Sequence, residues 1–190
     1  MWNLTLANQL TILRIVLIPA FVLLVVYGHL GAALLVFMTA GITDALDGLI
    51  ARRAHQRTSL GAWLDPMADK LLLLTTFIVL TLPGIPLTNH LPLWLTVAVI
   101  SRDVVIVGVV AIVSLVMGPR TFRPSIWGKM TTAAFILTSV AVMYFNYRAE
   151  TSPVVSAGIW ISLALTVISS GDYFVRLRRL INDSQPPASP

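Results

Sequence analysis

Four aspartates fall within one stretch of the chain, TDALDGLIARRAHQRTSLGAWLDPMADK, at positions 44, 47, 65 and 69. They make up half of the eight acidic residues in the sequence. Asp44 and Asp47 stand three apart and Asp65 and Asp69 four apart, spacings that put each pair on one face of a helix. A short basic linker separates the pairs, so the two helices are expected to be antiparallel neighbours whose acidic faces meet. Four bare carboxylates packed near hydrocarbon repel one another. They must be protonated, paired with cations or bound to metal. Arg52 and Lys70 are close in sequence, but two cations do not neutralise four anions. A divalent ion does, and an all-oxygen donor set suits Mg²⁺, Mn²⁺ or Ca²⁺ better than zinc or copper.

The small residues around the aspartates extend this chemistry. Gly48 follows Asp47, Ala51 comes one turn later and Gly61 lies one turn before Asp65. Glycine inside a helix costs about 1 kcal/mol against alanine, and close approach of a ligand is one reason to accept that. Arg52 can give phosphate a bidentate contact. Carboxylates, divalent metal, arginine and small residues together describe a diphosphate site. The competing reading is that small residues and single polar groups are ordinary glue between membrane helices. It has more force for Gly48 or Ala51 alone than for four aspartates, because acids inside a membrane are functional by default.

These groups must be positioned by membrane helices. The chain of 190 residues is 57% hydrophobic and only 11% charged, where soluble domains carry about 25% charged residues. That excludes an ordinary soluble domain and implies an all-α integral membrane protein. The apolar runs are continuous and do not alternate, so a β-barrel is not expected. A crossing helix needs roughly 20 apolar residues. Six segments qualify: Leu10–Tyr27, Leu30–Ile50, Ala62–Leu82, Leu91–Met117, Ile126–Tyr147 and Val154–Val175. One domain over residues 1–180 is expected, followed by a polar, Pro-rich, disordered tail over 181–190. With no cysteine there is neither disulfide nor thiolate chemistry. The N-terminal stretch lacks a basic region before its apolar part and is expected to be retained rather than cleaved.

Basic residues set the orientation. Arg52, Arg53 and Arg57 follow the second segment. Arg120, Arg123 and Lys129 lie around the junction of the fourth and fifth, and Arg176, Arg178 and Arg179 flank the sixth. The loops after the first and third segments have no Lys or Arg, and the loop after the fifth has one Arg. Positive residues mark the cytoplasmic side, so six spans with both termini inside are expected, the aspartates facing the cytoplasm. The net charge of +5 reports loops facing anionic membrane lipid and gives no case for nucleic acid.

The spacing Asp44, Asp47-Gly48, Ala51-Arg52, eight residues, Gly61, Asp65, Asp69 matches D-x-x-D-G-x-x-A-R-x8-G-x3-D-x3-D at every fixed position. It resembles the signature of the CDP-alcohol phosphatidyltransferases. The opening NLTLANQLTILRI is also similar to that family's N-terminal segment, with Ala7 where proline is usual. The resemblance implies attack of an alcohol on the lipid-bearing phosphorus of CDP-diacylglycerol, with release of CMP. It implies Asp44, Asp47, Asp65 and Asp69 as ligands of two divalent ions, Mg²⁺ or Mn²⁺. It further implies Asp69 as general base, Gly48, Ala51, Arg52 and Gly61 lining the CDP site, a homodimer, and a bacterial-type inner or plasma membrane location.

The acceptor must be read elsewhere. Arg102 and Asp103 lie well inside the fourth segment, Lys129 opens the fifth, and Arg120 and Arg123 precede it. These cations suit an anionic alcohol. Arg102 can equally be a structural partner of Asp103 or another helix, and Arg120 and Arg123 can serve orientation and lipid contact. The N-terminal segment resembles members that use glycerol-3-phosphate and make phosphatidylglycerophosphate. SRDVVIVG and RPSIWGK resemble the cardiolipin synthases, which use phosphatidylglycerol. Glycerol-3-phosphate is the expected acceptor and cardiolipin synthesis the alternative. A cation transporter is a rival from another class, but Arg52 would repel a travelling cation and no inverted repeat is visible. A non-catalytic scaffold is a further rival, and it would keep all function in Asp69→Asn.

Overall fold

The computed structural model describes the backbone of residues 6–54, 59–117 and 125–183, with the side chains of 12–43, 68, 70–109, 112, 113, 115, 125–176 and 178. Among the described residues the chain forms six α-helices: α1 Leu6–Val26, α2 Leu30–Ala54, α3 Ser59–Thr81, α4 Leu93–Met117, α5 Ile126–Tyr147 and α6 Pro153–Asp183. Each expected segment is present, with three informative differences. α2 runs past Ile50 to Ala54, so Arg52 and Arg53 are helical rather than in a loop. Arginine is a good helix former, and cations are favoured near a helix C-terminus. α3 starts at Ser59 instead of Ala62. α6 continues to Asp183, into the stretch expected to be disordered, because no Gly or Pro interrupts YFVRLRRLIND.

The helices group into two compact units. The first holds the described residues of Met1–Pro92 together with Ser139–Val155. Here α1 packs against both α2 and α3. Phe21 and Phe37 meet at 6.0 Å between ring centroids, and Val25, Ala33, Ala40, Leu72, Phe77 and Leu80 are buried. α1 ends in a Schellman motif. His29 N donates to Leu24 O, Gly28 N donates to Val25 O, and Gly28 takes the left-handed φ of 76° that this cap requires. α5 ends the same way, with Glu150 N on Phe145 O and Ala149 N on Asn146 O. There Ala149, not a glycine, adopts φ 53°. The adjacent Arg148–Glu150 ion pair is exposed. Hydrogen bonding to Glu150 and its charge push the Arg148 guanidinium further up.

The connection between α3 and α4 is tied to the end of α5. Asn89 N donates to Asn146 Oδ1 at 2.7 Å, Asn146 Nδ2 to Asn89 O at 2.8 Å, and Asn89 Nδ2 to Glu150 O at 2.7 Å. The buried Asn146 amide thus does for this loop what a neighbouring strand would do.

The second unit holds the described residues of Leu93–Thr138 and Ser156–Pro190. Hydroxyl groups join α5 to α6: Thr131 Oγ1 donates to Leu165 O at 3.1 Å, and Thr138 Oγ1 lies 3.0 Å from Ser162 Oγ. A Cβ on Gly158 would fall 2.8 Å from Thr138 Oγ1, so the glycine is what allows that contact. Trp94 of α4 and Trp160 of α6 pack at 5.6 Å. Ser125 caps α5 through Gly128 N at 3.0 Å; in the first unit, Ser152 caps α6 through Val154 N at 3.2 Å with Pro153 at the first helical position.

Large apolar side chains are exposed on every helix, for example Val16, Leu35, Ile78, Val104, Leu137 and Val167. Thr76, Thr96, Thr131, Ser139, Ser162 and Thr166 are buried. Among the described residues two helical stretches, Ile126–Tyr147 and Pro153–Arg176, are long and apolar enough to cross a membrane by length and composition. Shorter apolar stretches occupy Ile12–Val26, Leu30–Thr43 and Lys70–Thr81.

Candidate functional site

In the first unit the backbone of α2 carries Asp44, Asp47, Gly48, Ala51 and Arg52 in its last turns. The backbone of α3 carries Gly61, Asp65 and Asp69 in its first turns. The side chains of these eight residues lie outside the described ones. Their register is nonetheless fixed by the helices. On α2 the buried residues Ala33, Phe37 and Ala40 recur at alternating steps of four and three, and the same steps lead on to Asp44 and Asp47. On α3, Asp65 and Asp69 stand three residues before the buried Ala68 and Leu72. Each helix packs on α1.

α1 carries a buried arginine to which the sequence pattern gave no role. The side chain of Arg14 is only 1% exposed, and a guanidinium is held in such a place only by charge or hydrogen-bond partners. The signal was present, since Arg14 is a lone charge within the first apolar run.

In the second unit the structure gathers polar partners around Arg102. Its side chain is 11% exposed. Nη1 donates to Asp103 Oδ1 at 2.7 Å and Nη2 to Ser169 Oγ on α6 at 2.7 Å. The guanidinium carbon lies 5.9 Å from the Tyr173 ring centroid, within cation–π range. A Cβ on Gly128 would come 3.5 Å from Arg102 Nη2 and 3.6 Å from Ser125 Oγ. The first turn of α5, capped by Ser125, thus lies beside the guanidinium. Lys129, next in sequence, is exposed. Arginine, a helix N-terminus and a lysine form a setting for an anion. The expected Arg102–Asp103 pair is formed, and a contact to another helix accompanies it. Arg120 and Arg123 lie outside the described residues. Ser169 and Tyr173 could not be picked out in advance: they are 67 and 71 residues from Arg102, and a serine in an apolar helix looks like any packing residue.

A family model described as CDP-alcohol phosphatidyltransferase matches residues 4–168. A probable phosphatidylglycerophosphate synthase of Mycobacterium tuberculosis is 36% identical over 97% of this chain and 87% of its own length. The CDP-diacylglycerol–glycerol-3-phosphate 3-phosphatidyltransferase of Bacillus subtilis is 29% identical over 89% of this chain and 93% of its own. A human cardiolipin synthase (CMP-forming) is 36% identical over 75% of this chain and 52% of its own. The family match takes in the four aspartates and Arg102 and ends one residue before Ser169, and with it the chain belongs to the CDP-alcohol phosphatidyltransferase family, membrane-associated enzymes of phospholipid synthesis.

Proposed function

We propose that this enzyme transfers the phosphatidyl group of CDP-diacylglycerol to glycerol-3-phosphate, forming phosphatidylglycerophosphate and CMP. The observation that carries the choice of acceptor is coverage. The two relatives named for phosphatidylglycerophosphate or glycerol-3-phosphate chemistry align over 87% and 93% of their own lengths. The acceptor oxygen bonds to the lipid-bearing phosphorus, the bond from that phosphorus to the CMP phosphate oxygen breaks, and the acceptor's proton leaves.

Members of the family are generally dependent on divalent metal. The donor set fits this: four carboxylates in two helical pairs offer hard oxygen ligands suited to Mg²⁺ or Mn²⁺. In this reading Asp44, Asp47, Asp65 and Asp69 hold two such ions. When bound, the ions neutralise the diphosphate and the charge of the departing CMP. Asp69 also takes the proton of the acceptor hydroxyl. Arg52 contacts the donor phosphates, while Gly48, Ala51 and Gly61 leave room for the CDP group. Arg102 and Lys129, with Arg120 and Arg123, hold the acceptor phosphate. Phosphoryl transfer is governed by such positioning and charge neutralisation.

All six helices span the membrane in this reading, with both termini and the aspartates on the cytoplasmic side. The exposed apolar surface of every helix and the distribution of basic residues support it. The enzyme then sits in a bacterial-type inner membrane, as a homodimer. A second reading, cardiolipin synthesis with phosphatidylglycerol as acceptor, is favoured by the human relative's 36% identity. The purified protein with CDP-diacylglycerol and Mg²⁺ or Mn²⁺ separates the two. Glycerol-3-phosphate, phosphatidylglycerol, inositol phosphate and serine are offered in turn, and CMP release and the product are followed. Phosphatidylglycerophosphate is expected. Cardiolipin would establish the second reading, and no CMP with any acceptor would end both.

A further inference from the structure

We infer that Ser169 is a positioning residue for the acceptor, its buried hydroxyl fixing the orientation of the Arg102 guanidinium. This rests on the reading of Arg102 as an acceptor-phosphate contact. An arginine side chain is long and has many rotamers, so a fork that must meet a phosphate in one orientation needs to be held. Asp103 holds Nη1, but it belongs to the same helix as Arg102 and is 33% exposed. Ser169 belongs to α6 and is fully buried, and it ties the guanidinium to a second helix. Tyr173, four residues further along α6, lies under the same group.

The contact is unlike that of the neighbouring hydroxyls. Thr166 and Ser170 of α6 donate to the carbonyls of Ser162 and Thr166 four residues back, the ordinary habit of such residues in helices. Ser169 Oγ instead accepts from Arg102 Nη2. A neutral acceptor there has a chemical consequence. It orients the guanidinium without cancelling its charge, whereas a second carboxylate would leave little field for an anionic substrate. Arg102 Nε is buried and has no hydrogen-bond partner among the described residues. Beside Nη2 the missing side chain of Gly128 leaves space: a Cβ would stand 3.5 Å from Nη2 and 3.9 Å from Ser169 Oγ.

The test is steady-state CMP release by the purified full chain, varying glycerol-3-phosphate and CDP-diacylglycerol separately, with phosphatidylglycerol as a second acceptor arm. S169A is expected to raise KM for the anionic acceptor about three- to tenfold, with kcat and KM for CDP-diacylglycerol within about twofold. R102K is expected to raise acceptor KM at least as much, and S169A should add nothing further in the R102K background. If R102K raises acceptor KM and S169A does not, Ser169 has no positioning role and the reading of Arg102 survives. If R102K leaves acceptor KM unchanged with both acceptors, the reading of Arg102 fails and takes the inference with it. Equal rises in both KM values, or full additivity in the double variant, would assign Ser169 to packing alone and overturn the inference. Ser169→Cys, close in volume and a weak acceptor, is judged by the same criteria should S169A fail to fold.

Discussion

Asp69 and Arg102 divide the chemistry in the proposed reaction, one receiving the proton and the other placing the acceptor. Asp69→Asn keeps the shape of the side chain but removes its basicity and charge. General-base catalysis is worth roughly 10²–10⁴-fold, so kcat is expected to fall by at least about 10²-fold. Full rate in that variant would return the aspartates to a scaffold role. The aspartates stand out in the sequence through their helical spacing of three and four, and the backbone at those positions is helical in α2 and α3. Arg14 was legible only as a lone charge, since its burial depends on how α1 packs on α2 and α3. Ser169 was not legible at all. Its partner is 67 residues away, and nothing in SSGDY distinguishes a hydroxyl that serves an arginine from one that bonds its own helix.

The helices were readable from apolar run lengths, and their ends were less so. α2 and α6 extend because good helix formers continue past the apolar part. The ties between elements were invisible, because the Asn89–Asn146 pairing joins residues 57 apart. Asn146→Ala would leave the Asn89 N–H and C=O without their partner, a loss of about 2–4 kcal/mol. A fall of several degrees in the unfolding midpoint in detergent is expected, and an unchanged midpoint would show that the loop is held by other means. Ala149→Gly should act in the opposite direction, raising stability by about 1 kcal/mol, because glycine adopts the left-handed cap conformation without a Cβ penalty. Gly158→Ala drives a Cβ against Thr138, which is stiff, buried and bonded to Ser162. It should cost about 1–3 kcal/mol, and no loss would mean that α5 and α6 can separate freely there.

Among the described residues, large apolar side chains are exposed on every helix while several hydroxyls and the Arg14 guanidinium are buried, which fits membrane helices. Six spans predict that single cysteines placed at Ser184 and beside Arg57 are labelled from the cytoplasmic side only, and one placed at Gly84 from the opposite side only. Any other pattern would require a different topology. Chelation of divalent ions should abolish CMP release, and added Mg²⁺ or Mn²⁺ should restore it. The central claim is that these helices together make an enzyme that joins CDP-diacylglycerol to glycerol-3-phosphate. Its most direct measurement is product identity from the purified protein given both substrates and a divalent ion. Phosphatidylglycerophosphate formed one-for-one with CMP is the predicted result. CMP release that depends on phosphatidylglycerol instead, or no CMP at all, would contradict it.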